Sequence, residues 1–414
     1  MEFKENGRFE ARRAICAAIV GAILLGVPTR SASATEFNKP LNVSRSRTRI
    51  DTLAAIAVDA NNKVHIAWNA FYPKAGAPDG IAADIYYTTN VSGKFSAPVR
   101  ISVPAGWYSR DVTIAVDAKG HAHIVFRRSM DQMNCESGDD LYYVTNAKGD
   151  FKHPILLVDG KYGISGQVGR PYNPLVHCDS RGHVHLTFQA MIEYQGNLVV
   201  YMNNRSGAWT KPALAVQGNF LDAHYSCLDR NGFVHIAFGA CDKNYTEHIY
   251  YANNRTGKFS KPLIASSSEH KDPFQFQIAV DRQGKAHIVY RAPFVKPGTP
   301  DLFYVNNVSG SFKSWKPVCD SSVYYIPQIA VDSSNVVHIA YKYFPTYGGY
   351  LYYGNDSTGE FEFSSYGGLG DRWYGWPQYF ALGKNGSLYF AVYDFPNPDD
   401  WEAEIYYIAG SWTK

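Results

Sequence analysis

Charge is scarce in this chain and evenly split. Asp, Glu, Lys and Arg make up 19% of the 414 residues, and 40 Lys+Arg stand against 37 Asp+Glu, a formal net charge of +3. That balance excludes a chain built to coat nucleic acid or an anionic membrane. Cysteine is sparse too, with six residues whose spacings match no zinc or redox motif. There is no G-x-S-x-G elbow and no phosphate-cradling Gly loop. No His/Cys/Asp cluster has metal-ligand spacing, so neither a metal nor a cofactor is expected. Beyond residue 34 no apolar run is long enough to span a bilayer. Aromatic residues, in contrast, reach 15%, with 31 Tyr, which excludes a disordered, coiled-coil or collagen-like chain.

The first 34 residues read as a secretory signal peptide. Met1–Arg13 carries Lys4, Arg8, Arg12 and Arg13; Ala14–Val27 is apolar; Ala32-Ser33-Ala34 gives an A-x-A cleavage site. The mature chain is expected to start near Thr35, and 35–414 to form one domain, secreted or periplasmic. Removing the leader takes away five Lys/Arg and three Asp/Glu, which leaves a net charge of +1. Cys16 leaves with it. The five remaining cysteines, Cys135, Cys178, Cys227, Cys241 and Cys319, are an odd number, and either a bridge or buried thiols fits them.

The mature chain repeats itself. IAVDANNKVHIAW from Ile56, IAVDAKGHAHIVF from Ile114, VHCDSRGHVHLTF from Val176 and SCLDRNGFVHIAF from Ser226 are copies of one unit. IAVDRQGKAHIVY from Ile278 and IAVDSSNVVHIAY from Ile329 continue the series, and FALGKNGSLYFAV from Phe380 is a copy without the Asp and His. The anchors Asp59, Asp117, Asp179, Asp229, Asp281, Asp332 and Gly383 are spaced 58, 62, 50, 52, 51 and 51 residues apart. Each unit has a second half, such as HIYYANNRTGKFSKPLIAS from His248, in which two β-rich runs flank an Asn/Gly turn. Four short strands per unit of about 50 residues is the signature of a propeller blade. The strands are apolar at nearly every position, as strands packed on both faces must be. The expected fold is all-β: a seven-bladed β-propeller of four-stranded antiparallel blades.

The chain ends imply how the ring closes. The last unit stops at EIYYIAGSWTK, one strand short, while the mature N-terminus begins TEFNKPLNVS, which resembles GKFSKPLIAS from Gly257. Phe37–Ser44 is therefore expected to supply the missing fourth strand and close the ring, which removes exposed sheet edges.

Turns joining first to second and third to fourth strands are short and alike. The connections at the other end are irregular and aromatic, so any site is expected there. Nearest the axis lie the starts of the first strands (Arg49-Ile50-Asp51, Arg110-Asp111, Arg170-Pro171-Tyr172, Asp222-Ala223-His224-Tyr225, Asp272, Tyr325, Tyr374-Gly375-Trp376). The ends of the second strands join them (Asn69, Arg127-Arg128, Gln189, Gly239, Arg291, Lys342, Tyr393). Cations outnumber anions in this set. Arg grips carboxylates and aromatic rings stack on sugars, so an anionic sugar fits; alternatively, these Arg and Asp pair with each other to hold blades together. Six histidines, His65, His123, His185, His235, His287 and His338, recur in register and read as architecture, whereas His224 is off-register beside Tyr225. The N-x-S/T triplets at Asn90, Asn204, Asn254 and Asn307 fall in turns and read as turn chemistry.

The turn segments NVSGKFS, NRSGAWT and NRTGKFS resemble worn Asp-boxes of the sialidase-like propellers, over nearly the whole mature chain and as fold. That superfamily holds sialidases, other glycosidases, seven-bladed polysaccharide lyases of uronate polymers, and binding proteins. The sialidase pattern implies three Arg on a carboxylate, a Tyr nucleophile with a Glu partner, and an Asp acid. Arg49-Ile50 matches its Arg-Ile-Pro, but Asp51 replaces the Pro and seven repeats replace six. The lyase pattern implies an Arg or His on the uronate carboxylate and a Tyr or His taking the C5 proton. By residue type, His224, Tyr172 and Tyr225 fit catalysis, and Arg110, Arg128, Arg170, Arg291, Lys342 and Trp376 fit substrate binding. The expectation is a monomer that engages an acidic polysaccharide or oligosaccharide, with eliminative cleavage first. Non-catalytic carbohydrate binding or an envelope interaction comes second, and sialidase-like hydrolysis third.

Overall fold

The fold positions every side chain of interest through one repeated local design. A computed structural model describes residues 36–46, 48–77, 80–102, 108–129, 139–160, 169–192, 196–270, 272–292, 301–319, 327–343, 349–369, 379–394 and 403–411. The leader, Cys135, Trp376 and the side chain of Cys319 lie outside them.

In six of the seven repeats an anchor Asp shapes the turn between the first and second strands. Asp229 Oδ1 accepts the backbone N–H groups of Asn231 (2.9 Å) and Phe233 (3.0 Å). Gly232 completes that turn at φ +79°, where a Cβ would lie 2.9 Å from Arg205 Nη2. The other oxygen faces the repeated histidine: His235 Nε2 lies 3.7 Å from Asp229 Oδ2. All six repeated histidines bond a third-strand tyrosine hydroxyl through Nδ1, at 2.5–2.8 Å. The six are architecture, as the register implies. The turn between third and fourth strands is tied down by its Asn: Asn254 Oδ1 accepts the Val234 N–H at 2.7 Å. Asn90, Asn204 and Asn307 do the same for Val64, Val184 and Ala286. These triplet asparagines are spent on turn chemistry.

These motifs build antiparallel sheets of four strands. One runs Gly169–Cys178, Val184–Ile192, Gly196–Asn203, Ala213–Gln217; the next runs His224–Leu228, Val234–Cys241, Glu247–Asn253, Leu263–Ile264. Two more begin at Phe274–Val280 and Gln328–Val331. The first two units join into one eight-stranded sheet through a single parallel bridge, Ala83 to Tyr108. Apart from the 3-10 turn Lys384–Gly386, the regular structure among the described residues is strand. Core clusters span neighbouring units, as where Ala115 and Val125 pack with Val184 and Phe188. Both faces of a sheet are thus dry, which is why the strands read as continuous apolar runs. No helix among the described residues is long and apolar enough to cross a membrane.

The last sheet is made from both chain ends. Phe380–Leu382, Ser387–Asp394 and Glu404–Ser411 are joined by Glu36–Phe37 and Leu41–Asn42, both antiparallel to Glu404–Ser411. The expected single strand Phe37–Ser44 is split in two, because Pro40 between them has no N–H to give the ladder. Val43 is fully buried beside Trp68 and Ile405. Asn42 Nδ2 donates to Glu404 Oε2 at 2.5 Å, and Ile405 N–H donates to Ser44 Oγ at 2.9 Å. Cys178, Cys227 and Cys241 are free thiols.

Candidate saccharide pocket

Near the start of the first strand, four units carry the same irregularity. The ladder between first and second strands slips after Thr52, Arg110, Tyr172 and Phe274. Just after each slip or within it stands a residue in the left-handed region: Leu53 (φ 52°), Asp111 (φ 54°), Asn173 (φ 47°) and Gln275 (φ 44°). A β-bulge re-aims a side chain at the cost of local strain. All four re-aimed residues line one open cavity of about 210 Å³, with Val112, Pro174, Leu175, Asp222, Ala223, His224 and Tyr225. Leu53, Asp111, Asn173, Ala223 and Gln275 each stand six residues before their anchor Asp. Five repeats therefore give the wall the same position with a different side chain each.

In three units the bulged residue is held by a residue of the second strand. Arg127 Nε lies 2.7 Å from Asp111 Oδ2, and its Nη1 lies 2.6 Å from Asp139 Oδ2. Asn173 Nδ2 donates to Gln189 Oε1 at 2.9 Å. Arg291 Nη1 donates to Gln275 Oε1 at 2.8 Å, while Nη2 bonds Asp301 at 2.8 Å. The sequence left open whether these arginines clamp a ligand or pair with carboxylates; Arg127 and Arg291 pair. Arg49 likewise lies 3.5 Å from the buried Asp51. The charged side chains at the cavity wall among the described residues are Asp111 and Asp222, so the excess of cations in the sequence is not an excess of free cations.

The sequence-derived candidates separate. His224 and Tyr225 line the cavity. Tyr225 is buried, edge-on to Phe276 with centroids 5.4 Å apart, and burial pushes its hydroxyl pKa up. Tyr172 is half-buried beside the wall; its hydroxyl accepts from Gln189 Nε2 at 3.2 Å. Burial, then the Asp222 charge, push its pKa up to about 12 against the pull of Arg127, so it is a neutral phenol. His224 is 3% exposed, and its pKa is pushed down to about 3 by burial and then by His177. It is a neutral imidazole at any working pH. Arg110 pairs across the ladder with Arg127, and Arg170 with Met191. Arg128 Nη1 donates to Tyr142 Oη at 3.1 Å, away from the lining residues. Lys342 is 5% exposed, and burial draws its ammonium pKa down to about 6, so it is a weak anion clamp. Trp376 lies outside the described residues.

Two features escaped the sequence reading. Asn173 and Gln275 are uncharged, yet they line the pocket with Asp111 and Asp222; the signal for them was a repeat position that differs in every unit. Phe220 and Tyr245 are 70% and 76% exposed, with centroids 5.9 Å apart and φ of 49° and 61°. Tyr245 is presented on a tight turn in which Asp242 Oδ1 accepts the Asn244 and Thr246 N–H groups at 2.7 and 3.0 Å. Phe220 is two residues from the wall residue Asp222.

Four-stranded antiparallel sheets carrying a pocket where their first strands begin fit a β-propeller. No family model matches the sequence, and no curated protein sequence matches it. Among solved structures the fold is similar to that of polysaccharide lyase Uly1 (TM-score 0.53, 11% identity, 96% of this chain and 95% of that one). It is also similar to a protein of unknown function from Dyadobacter fermentans (0.52, 12%, 92% and 99%) and to the Hadza microbial sialidase Hz136 (0.50, 10%, 80% and 68%). At these identities the likeness is one of fold.

Proposed function

We propose that the chain is an exported seven-bladed ring that engages carbohydrate in this pocket and cleaves a uronate-containing polysaccharide by β-elimination. Closure of the ring is supported by contacts between the starting strands of successive units, including Phe380–Leu382 against Ile50–Val58. The observation that carries the saccharide reading is the wall itself. Asp111, Asn173, Asp222 and Gln275 offer carboxylate and amide groups to hydroxyls, and the exposed rings of Phe220 and Tyr245, tilted by 50° to each other, offer apolar surface close to Asp222 in the chain. Elimination is supported by a neutral imidazole, His224, on the wall and a neutral phenol, Tyr172, next in the chain to the wall residue Asn173. In this reading the imidazole takes the C5 proton, the electron pair forms the C4–C5 double bond, and the C4–O bond breaks. The leaving oxygen takes a proton from the phenol. Arg127, paired with Asp111 and Asp139, supplies positive charge behind the Asp111 wall position.

One observation favours a second reading, non-catalytic carbohydrate binding: the wall charges are Asp111 and Asp222, which repel a carboxylate and suit a neutral sugar. Incubation of the mature protein with a panel of uronate and neutral polysaccharides separates the two. A rise in the ultraviolet absorbance of the conjugated double bond, lost in Tyr172→Phe, establishes elimination. A flat trace with binding retained on neutral glycans establishes the second reading, and absence of any binding removes both.

A further inference from the structure

Beneath the pocket lies a row of polar side chains where the other repeats are apolar. Thr187 stands where the other six units carry Ala or Val, Ser226 where they carry Ile, Val or Phe, and His177 where they carry Ala or Cys. All three gather in the seam between units three and four, and they connect. His224 Nε2 lies 3.1 Å from Thr187 Oγ1, Thr187 Oγ1 lies 2.7 Å from Ser226 Oγ, and Ser226 Oγ lies 2.9 Å from His177 Nε2. Thr187, Ser226 and His224 are buried, Thr187 at 1% exposure. Buried polar groups replace apolar ones at a cost unless each is satisfied, and this row satisfies them in a line.

Proton counting restricts the row. Each hydroxyl has one proton to donate, so three hydrogen bonds along His224–Thr187–Ser226–His177 need one further proton, supplied by one of the two terminal Nε2 atoms. If His224 Nε2 carries it, every bond points towards His177, and His177 must be protonated on Nδ1. If His177 Nε2 carries it, every bond points the other way, and His224 must be protonated on Nδ1. The neutral tautomers of the two rings are therefore opposite. His224 Nδ1 is buried, has no hydrogen-bond partner among the described residues, and belongs to a residue that lines the cavity.

We infer that His177, Ser226 and Thr187 are positioning residues that form a proton relay, through which the pocket presents His224 Nδ1 as either an acceptor or a donor without a charge on that ring. A proton arriving at Nδ1 is balanced by loss of the Nε2 proton to Thr187. Thr187 gives its own proton to Ser226, and Ser226 gives its own to His177 Nε2, where the added proton resides. Burial, then His185, holds the His177 pKa at about 4, above that of His224, which is the direction this transfer needs. The use of the relay in cleavage rests on the saccharide reading above; the relay itself does not.

The test is imidazole nitrogen NMR on the ligand-free mature protein at neutral pH. The expected spectrum shows one of the two rings protonated at Nε2 and the other at Nδ1. Two rings in the same tautomer, or either ring charged, overturns the relay. Thr187→Val, which places at this position the residue that units two and five carry, is expected to leave both rings averaging between tautomers, and Thr187→Ser to restore them. Unchanged, fixed shifts on both rings in Thr187→Val also overturn it. Should no saccharide be bound or cleaved, the proposed function fails while the ligand-free spectrum still decides the relay. Should cleavage be found, Thr187→Val is expected to shift its pH profile and Thr187→Ser to keep it.

Discussion

Tyr172→Phe removes one oxygen and keeps the ring, so it separates proton transfer from packing. The expected result is a fall in eliminative rate of roughly 10²–10⁴-fold, with saccharide binding measured by calorimetry almost unchanged. Phe220→Ala and Tyr245→Ala should act oppositely. Each should weaken binding of long saccharides by about 0.5–1.5 kcal/mol and leave urea unfolding unchanged, since both rings are exposed. Arg127→Met tests the reading of the arginines. It takes the guanidinium from Asp111 and Asp139, and loss of one partner of a buried pair costs about 3–5 kcal/mol, a figure to be reduced where solvent reaches the pair. A guanidinium that met ligand alone would leave the urea midpoint where it was. At this scale the sequence was only partly legible. It pointed to the strand starts where the cavity opens and to His224 and Tyr225, which line it. It overvalued arginine, because pairing with a carboxylate from another strand leaves no mark in the local sequence.

The repeated turn is the element on which the sheets depend. Asp229→Ala would strip two turn N–H groups of their acceptor and remove the carboxylate facing His235. The expected loss is about 1–3 kcal/mol of unfolding free energy, read from urea titration. Unit seven shows why the motif cannot simply be restored. At Gly383 a Cβ would stand 2.6 Å from Tyr389 Cε2 and 2.8 Å from Asn62 Oδ1, so Gly383→Asp should destabilise that unit. The strands and turns were legible because seven copies of one pattern remove the ambiguity of any single stretch. The bulges were not. A slip between Tyr172 and Leu175 is a property of two strands paired together, and its one local sign is an Asn or Asp that tolerates the left-handed region, at Asn173 and Asp111. Leu53 and Gln275 give no such sign.

For the whole molecule, the buried histidines set the acid limit. His65, His185 and His235 have pKa values near 4, lowered first by burial. Their unfolded value is about 6.5. The unfolded chain therefore binds more protons between these limits, and the stability these residues confer is complete above pH 6.5 and lost as pH falls towards 4. Asp51, raised to about 6 by burial, works in the opposite sense below pH 6 and returns part of the loss. The urea midpoint should fall steeply from pH 6.5 to 4, with net uptake of protons on unfolding. A flat profile would mean that the six His–Tyr pairs open without unfolding. The join of the chain ends is a second whole-molecule feature, and its legibility came from comparing a terminal fragment with an internal repeat. Deletion of residues 36–44 should lower the melting temperature sharply, because it uncovers the ladder of Glu404–Ser411 and the cavity left by Val43.

The pocket wall takes one position from each of five repeats, and among the described residues four of the five, all but Ala223, pack against no core cluster. Ligand preference and folding are therefore written at different places in the same repeat. Exchange of side chains at 53, 111, 173, 223 and 275 alters what is recognised one contact at a time, without disturbing the anchors that form the sheets. Under the proposed function, a change at Leu53, Asn173 or Gln275 alters a wall contact while the anchor residues that form the sheets stay in place.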